Sequence, residues 1–287
     1  MSFRSKILSG GFAVTGEIAP AKGVDERKIM DVASLLKDCV DAINVTDNQR
    51  ACVRTSSLAV SKMLLDSGVD PVFQMTCRDR NRIGIQSDLL GAHMLGIRNV
   101  LALTGDHPSS GDHPSAMPVY DIDSTQLIQA IRGLNKGVDM EGNKLDGKTD
   151  FLVGAAFNPG AEDRDVELLR ISRKMEAGAM FFQTQVVYDA EDFIGFMKEV
   201  PSNAKVLAGI VPLKSKRMAD FMNEKIPGVS VPQRLIDELE GADNPVEEGI
   251  SQAADIIREI RPYCSGVHMM ALGSEKHVKT ILDKAGV

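Results

Sequence analysis

The 287-residue chain carries 33 Lys and Arg against 40 Asp and Glu, a net charge of −7, and so lacks the dense basic face that a nucleic-acid backbone requires. Its 43% hydrophobic and 25% charged residues are those of an ordinary globular protein, and no apolar run approaches the roughly 20 residues of a membrane span. The opening Met1-Ser2-Phe3-Arg4-Ser5-Lys6 has no signal-peptide stretch, so a cytoplasmic, reducing setting is expected, and Cys39, Cys52, Cys77 and Cys264 fall outside zinc-site spacings, so no metal is expected.

In chain order, apolar β-prone runs occupy residues 12–18, 42–46, 71–76, 99–103, 151–156, 180–184, 205–210 and 266–270, with amphipathic stretches between them. That alternation predicts parallel βα units rather than hairpins. Phe193, Phe196, Met197 and Val200 fall on one helical face, as do Ile250, Ala253, Ala254, Ile257 and Arg261. Gly68 and Gly178 each precede a strand, where a left-handed glycine can close a helix. Lys214-Ser215-Lys216-Arg217, the one compact basic cluster, reads as a solvated helix start. With no linker or repeat dividing it, residues 1–287 are expected to form a single domain, a (β/α)8 TIM barrel of the α/β class. An open doubly wound sheet has the same element order.

Barrel enzymes place their chemistry at the C-terminal ends of the strands. Here those ends carry Glu17, Thr46-Asp47-Asn48-Gln49, Gln74-Met75-Thr76, Thr104-Gly105-Asp106-His107, Phe157-Asn158 and Gln183-Thr184-Gln185, a ring of hydrogen-bonding side chains. Gly142 to Thr149 satisfies the written P-loop pattern, but it runs into a strand instead of a helix and reads as a turn. The glycine-, proline- and aspartate-rich stretch 105–123 reads as a surface loop or lid in which Asp106 alone is fixed, and Asp106-His107 and Asp112-His113 as loop residues rather than metal ligands. His268 on the last strand reads as a packed core histidine. Arg170, Arg173 and Lys174 share a helix face that either holds phosphates or is solvated.

Taken together, Gly16-Glu17-Ile18-Ala19-Pro20, Asn44-Val45-Thr46-Asp47-Asn48, Met75-Thr76-Cys77, Leu103-Thr104-Gly105-Asp106, Gly154-Ala155-Ala156-Phe157-Asn158-Pro159, Thr184-Gln185 and Gly209-Ile210-Val211-Pro212 resemble the 5,10-methylenetetrahydrofolate reductase family in its short, barrel-only form. The resemblance covers essentially the whole chain. It implies a flavin-dependent barrel that binds FAD and converts 5,10-methylenetetrahydrofolate to 5-methyltetrahydrofolate, with Glu17 as general acid and Asp106 as the carboxylate beside the pterin. It implies substrate contacts by Glu17, Asp106 and Gln185, and FAD contacts by Thr46, Gln74, Thr104, Gly105, Asp106, Tyr120, Phe157, Arg170, Arg173 and Lys174. Gln74 stands where some members have His, and Ser274 where some have a substrate-binding Arg. The implied electron donor is NAD(P)H or a protein, with a small partner subunit or a homo-oligomer as the implied assembly. A pterin-binding methyltransferase barrel and a flavin subunit of an electron-transfer complex are the competing readings.

Overall fold

The computed structural model describes residues 2–287. Eight parallel strands close into a barrel in sequence order: β1 (Ala13–Ile18), β2 (Ala42–Val45), β3 (Pro71–Thr76), β4 (Asn99–Leu103), β5 (Leu152–Phe157), β6 (Phe181–Val186), β7 (Val206–Ile210) and β8 (Gly266–Met269), with β8 pairing back onto β1. The closed sheet decides against the open alternative, and every expected strand is present to within two residues at its ends.

The helices are α1 (Phe3–Ser9), α2 (Glu26–Leu36), α3 (Ser57–Asp66), α4 (Arg82–Met94), α5 (Ser124–Asn135), α6 (Arg164–Ala177), α7 (Ala190–Met197), α8 (Lys216–Lys225), α9 (Gln233–Gly241), α10 (Pro245–Ile260) and α11 (Val278–Ala285). None is long and apolar enough to cross a membrane. Phe193, Phe196 and Val200 are buried as their period implies, and so are Ile250, Ala253, Ala254 and Ile257. Arg261 departs from that face: it is exposed in a 3₁₀ turn after α10, lies over the Phe12 ring and donates to the Gly286 carbonyl at 2.7 Å. Gly68 and Gly178 take positive φ, 83° and 125°, as helix-closing glycines. Lys216 opens α8 behind a Ser215 cap, and Lys148-Thr149 run directly into β5, so the P-loop-like octapeptide is a turn.

Inward-facing residues alternate along each strand, and their chemistry changes with height. The lowest layer is apolar, comprising Ala13, Ala42, Val72, Leu101, Leu152, Phe181 and Leu207. It is plugged from below by α1, a helix too short to register as a periodic pattern. Its Phe3 ring meets Phe181 edge-on at 5.3 Å, and burying one such side chain contributes about 2–3 kcal/mol. Gly154 makes room for that ring, because a Cβ there would lie 2.2 Å from Phe181 Cζ.

One layer higher the interior turns polar. Asn44 donates to Gln183 Oε1 at 2.6 Å, Gln183 donates back to Asn44 Oδ1 and to Thr15 Oγ1 at 3.1 Å each, and Thr15 Oγ1 meets His268 Nδ1 at 2.9 Å. These four side chains are buried and mutually hydrogen-bonded, which is the condition for polar groups to persist in a core.

Asp70, just before β3, accepts from Asn99 at 2.9 Å, yet burial pushes its carboxyl from 3.8 up to about 6. The folded state therefore holds this proton more tightly than the unfolded chain. The contribution to stability is greatest below about pH 4 and is lost as pH rises toward 6. Asp70→Asn is expected to raise unfolding free energy by about 2 kcal/mol near neutrality, with little change near pH 4. Urea denaturation at the two pH values checks it, and an equal effect at both would contradict the assignment.

Candidate functional site

At the C-terminal end the polar interior opens into a cavity of about 470 Å³. Glu17, Gln74, Thr104, Gly105, Asp106, Phe157 and Gln185 all line it. Glu17 stands on the first strand and Asp106 just beyond the fourth, on opposite sides of the mouth.

The Glu17 side chain is only 11% exposed, with Oε2 3.4 Å from His268 Nε2 and Oε1 accepting from Gln49 Nε2 at 3.3 Å. His268 is therefore more than core filling. Its other nitrogen meets Thr15, so it joins the acidic group at the mouth to the buried amide pair below. Asp106 behaves differently from the fixed residue expected of it. Its carboxylate is exposed and makes no hydrogen bond among the described residues, while its backbone carbonyl accepts from Arg78 Nη1 at 3.3 Å.

Gln185 lines the mouth at the point where β6 carries an irregularity between Gln183 and Val186. The Thr184 hydroxyl stabilises it, accepting from Gly209 N at 2.9 Å and donating to the Gln185 carbonyl at 2.6 Å. Bulges of this kind re-aim side chains at barrel rims. Phe157, 4% exposed, is braced by the Phe196 ring stacked 5.7 Å away.

The remaining expected residues are not on the wall of this cavity. Thr46 is buried, and its Oγ1 has no partner. Tyr120, held at φ 40°, donates to the Gly105 carbonyl at 3.1 Å. Gly105 itself has φ 89°, and a Cβ there would come within 3.0 Å of the Thr76 side chain. Lys174 Nζ donates to the Ala156 carbonyl at 2.6 Å, and burial lowers its pKa against the opposing pull of Glu167 and Asp123. Arg170 is tied to Glu167 at 3.1 Å, whereas Arg173 is exposed and makes no ion pair among the described residues. Of the basic trio only Lys174 is packed against the end of β5. Ser274 is buried behind β8.

Arg78 went unrecognised in the sequence. Its side chain is 2% exposed and binds Asp79 at 2.7 Å while donating to the carbonyls of Asn48, Asp47 and Asp106. It thus ties the loop after β2 to the loop after β4. Its only sequence signal is the charge cluster Arg78-Asp79-Arg80 directly behind a strand. The loop after β2 is strained, with Asn48, Arg50 and Ala51 all at positive φ, as happens where function over-determines the backbone. The 105–123 loop packs on it: a Cβ on Gly111 would fall 1.9 Å from the Ala51 carbonyl oxygen, and Asp112 binds Lys22 at 2.5 Å and Val53 N at 3.0 Å. Asp112 and His113 pair with each other at 2.9 Å, consistent with their reading as loop residues.

These features define a (β/α)8 barrel whose polar mouth presents the shielded Glu17 carboxyl and the open Asp106 carboxylate. The chain belongs to the methylenetetrahydrofolate reductase family, whose model matches residues 2–286. A Caenorhabditis elegans protein described as a probable methylenetetrahydrofolate reductase (NADPH) is 26% identical over 81% of this chain and 35% of its own length. A 5,10-methylenetetrahydrofolate reductase of Pectobacterium carotovorum is 24% identical over 88% of this chain and 82% of its own. The chain spans little more than a third of the nematode and fission-yeast relatives. A solved Clostridium thermocellum protein that binds two copies of 5-methyl-5,6,7,8-tetrahydrofolic acid superposes with a TM-score of 0.68, covering 99% of this chain and 100% of that one at 17% identity, a likeness of fold.

Proposed function

We propose that this chain reduces 5,10-methylenetetrahydrofolate to 5-methyltetrahydrofolate, with FAD as the bound redox group, Glu17 as the general acid and Asp106 as an electrostatic partner. The observation that carries this reading is Glu17: a carboxyl 11% exposed, hydrogen-bonded at the mouth of a barrel of this family. FAD, when bound, supplies the hydride.

The residues present fit such a group. Among the described residues Thr46 offers a buried hydroxyl without a partner, Gly105 a backbone that approaches closely, and Lys174 an ammonium partly desolvated by burial. Thr46, Gln74, Thr104, Gly105, Tyr120 and Phe157 would hold the flavin and its sugar chain. Lys174, with Arg170 and Arg173 beyond it, would face its phosphates.

The protein's own part in the chemistry is proton handling and orientation. Opening the five-membered ring breaks the bond between N10 and the bridging carbon, and N10 needs a proton as it departs. Glu17 gives that proton. The bridging carbon, left as an iminium on N5, is the hydride acceptor, and the open Asp106 carboxylate stabilises the positive charge that develops there. Gln185 would orient the pterin by hydrogen bonding. We place the reaction in the cytoplasm with NAD(P)H or a carrier protein as electron source, and with a second copy or a small subunit as companion.

The purified protein reconstituted with FAD is expected to show a flavin spectrum and to form 5-methyltetrahydrofolate under reducing conditions. A protein that binds folate but retains no flavin would favour methyl transfer instead.

A further inference from the structure

The Glu17 carboxyl has one polar neighbour on a strand and one on a loop. His268 Nε2 lies 3.4 Å from Oε2 on β8, whereas Gln49 Nε2 donates to Oε1 at 3.3 Å from the loop after β2. We propose that Gln49 is a positioning residue for the proton-transfer step, holding Glu17 in place and stabilising the carboxylate that Glu17 becomes. The proposal rests on the assignment of Glu17 as the acid that protonates N10.

The backbone around Gln49 is held against its preference. Asn48, Arg50 and Ala51 have φ of 47°, 57° and 53°, a left-handed path that side chains disfavour, and no glycine relieves it. Contacts on both sides of Gln49 keep it there. Arg78 donates to the Asn48 carbonyl at 3.2 Å, Asn48 Nδ2 donates to Asp79 Oδ2 at 3.2 Å, and Asn48 Oδ1 accepts from Arg54 N at 3.0 Å. On the far side Gly111 packs against the Ala51 carbonyl. Gln49 itself lines the mouth cavity, and its side chain makes no other hydrogen bond among the described residues. The loop thus presents a half-buried amide whose single polar contact is the acid.

Proton transfer gives that contact a direction. The Glu17 O–H bond breaks, N10 takes the proton and keeps the electron pair of the severed carbon–nitrogen bond, the carbon is left as the N5 iminium, and Glu17 is left as a carboxylate. An N–H donor binds a carboxylate more strongly than a neutral acid, so the Gln49 bond tightens during the step and not before it. A contact that strengthens as charge develops raises the rate without raising substrate affinity. The separation of 3.3 Å, long for an N–H···O bond, leaves room for that tightening.

Gln49→Met keeps the length of the side chain and removes the donor. In the FAD-reconstituted protein reduced with dithionite, reoxidation of this variant by saturating 5,10-methylenetetrahydrofolate is expected to be about tenfold slower than in the wild-type protein, the loss of one hydrogen bond to a charged group. Equilibrium binding of 5-methyltetrahydrofolate should be unchanged. In a Glu17→Gln background, where no carboxylate forms, Gln49→Met should slow the residual reaction no further. Reoxidation of Gln49→Met at the wild-type rate would overturn the role of Gln49 and leave Glu17 as the acid. So would a loss that tracks weaker binding, or an equal loss in the Glu17→Gln background. Reoxidation of Glu17→Gln itself at the wild-type rate would overturn both assignments.

Discussion

Glu17→Gln is expected to lower methylenetetrahydrofolate reduction by about 10²–10⁴-fold, the range supplied by a positioned general acid. Flavin binding and flavin reduction should be retained. The amide keeps the size of the side chain and its one oxygen can still accept from Gln49, so the mouth holds its shape while the transferable proton is lost. A single-turnover assay separates the steps: reduction of the bound flavin proceeds as in the wild-type protein, and its reoxidation by substrate stops. Turnover by Glu17→Gln near the wild-type rate would remove Glu17 from the mechanism. Because Glu17 Oε2 lies 3.4 Å from His268 Nε2, and His268 is hydrogen-bonded to Thr15, the loss from a second substitution at His268 is expected to be less than additive.

The second large effect is structural. Arg78→Met should destabilise the fold by about 3 kcal/mol, since it leaves the carbonyls of Asp47, Asn48 and Asp106 without their shared donor and removes the guanidinium from Asp79. The two loops that Arg78 joins carry Gln49 and Asp106, so ligand binding is expected to weaken further than the stability loss alone implies. Urea denaturation together with limited proteolysis of the 105–123 loop measures both parts. A change below about 1 kcal/mol with an intact loop would show that Arg78 does not hold the mouth together.

The architecture was legible because each strand is a largely apolar run of four to six residues, and β1, β2, β3, β6 and β8 are interrupted by a polar inward residue. Glu17, Asn44, Gln74, Gln183 and His268 interrupt otherwise apolar strands at alternate positions, which is what a barrel with a dry floor and a polar mouth demands. Site residues that end strands were therefore visible. Three kinds of feature were not. The β6 irregularity beside Gln185 is spanned by a hydroxyl contact between neighbouring strands, and such a contact has no local signature. Arg78 binds carbonyls that are distant in sequence, so nothing adjacent to it marks its role. His268 looks like core because it is buried, and only the distances to Glu17 and Thr15 show that it connects the two layers.

The expected basic face on α6 illustrates the opposite case. Helical spacing put Arg170, Arg173 and Lys174 together, but burial separates them: Lys174 is packed against β5, Arg170 is paired with Glu167 and Arg173 points to solvent. Spacing on a helix fixes which residues are neighbours. It does not fix how far the helix sits from the strand end, and that distance is what sorts a phosphate ligand from a solvated charge.

The central claim is tested most directly by anaerobic reoxidation. The FAD-reconstituted protein is bleached with a stoichiometric amount of dithionite, which makes the result independent of the natural electron donor, and 5,10-methylenetetrahydrofolate is then added. Return of the oxidised flavin spectrum with formation of one 5-methyltetrahydrofolate per flavin is the predicted result. A flavin that stays reduced while the folate is bound but unchanged would contradict the assignment.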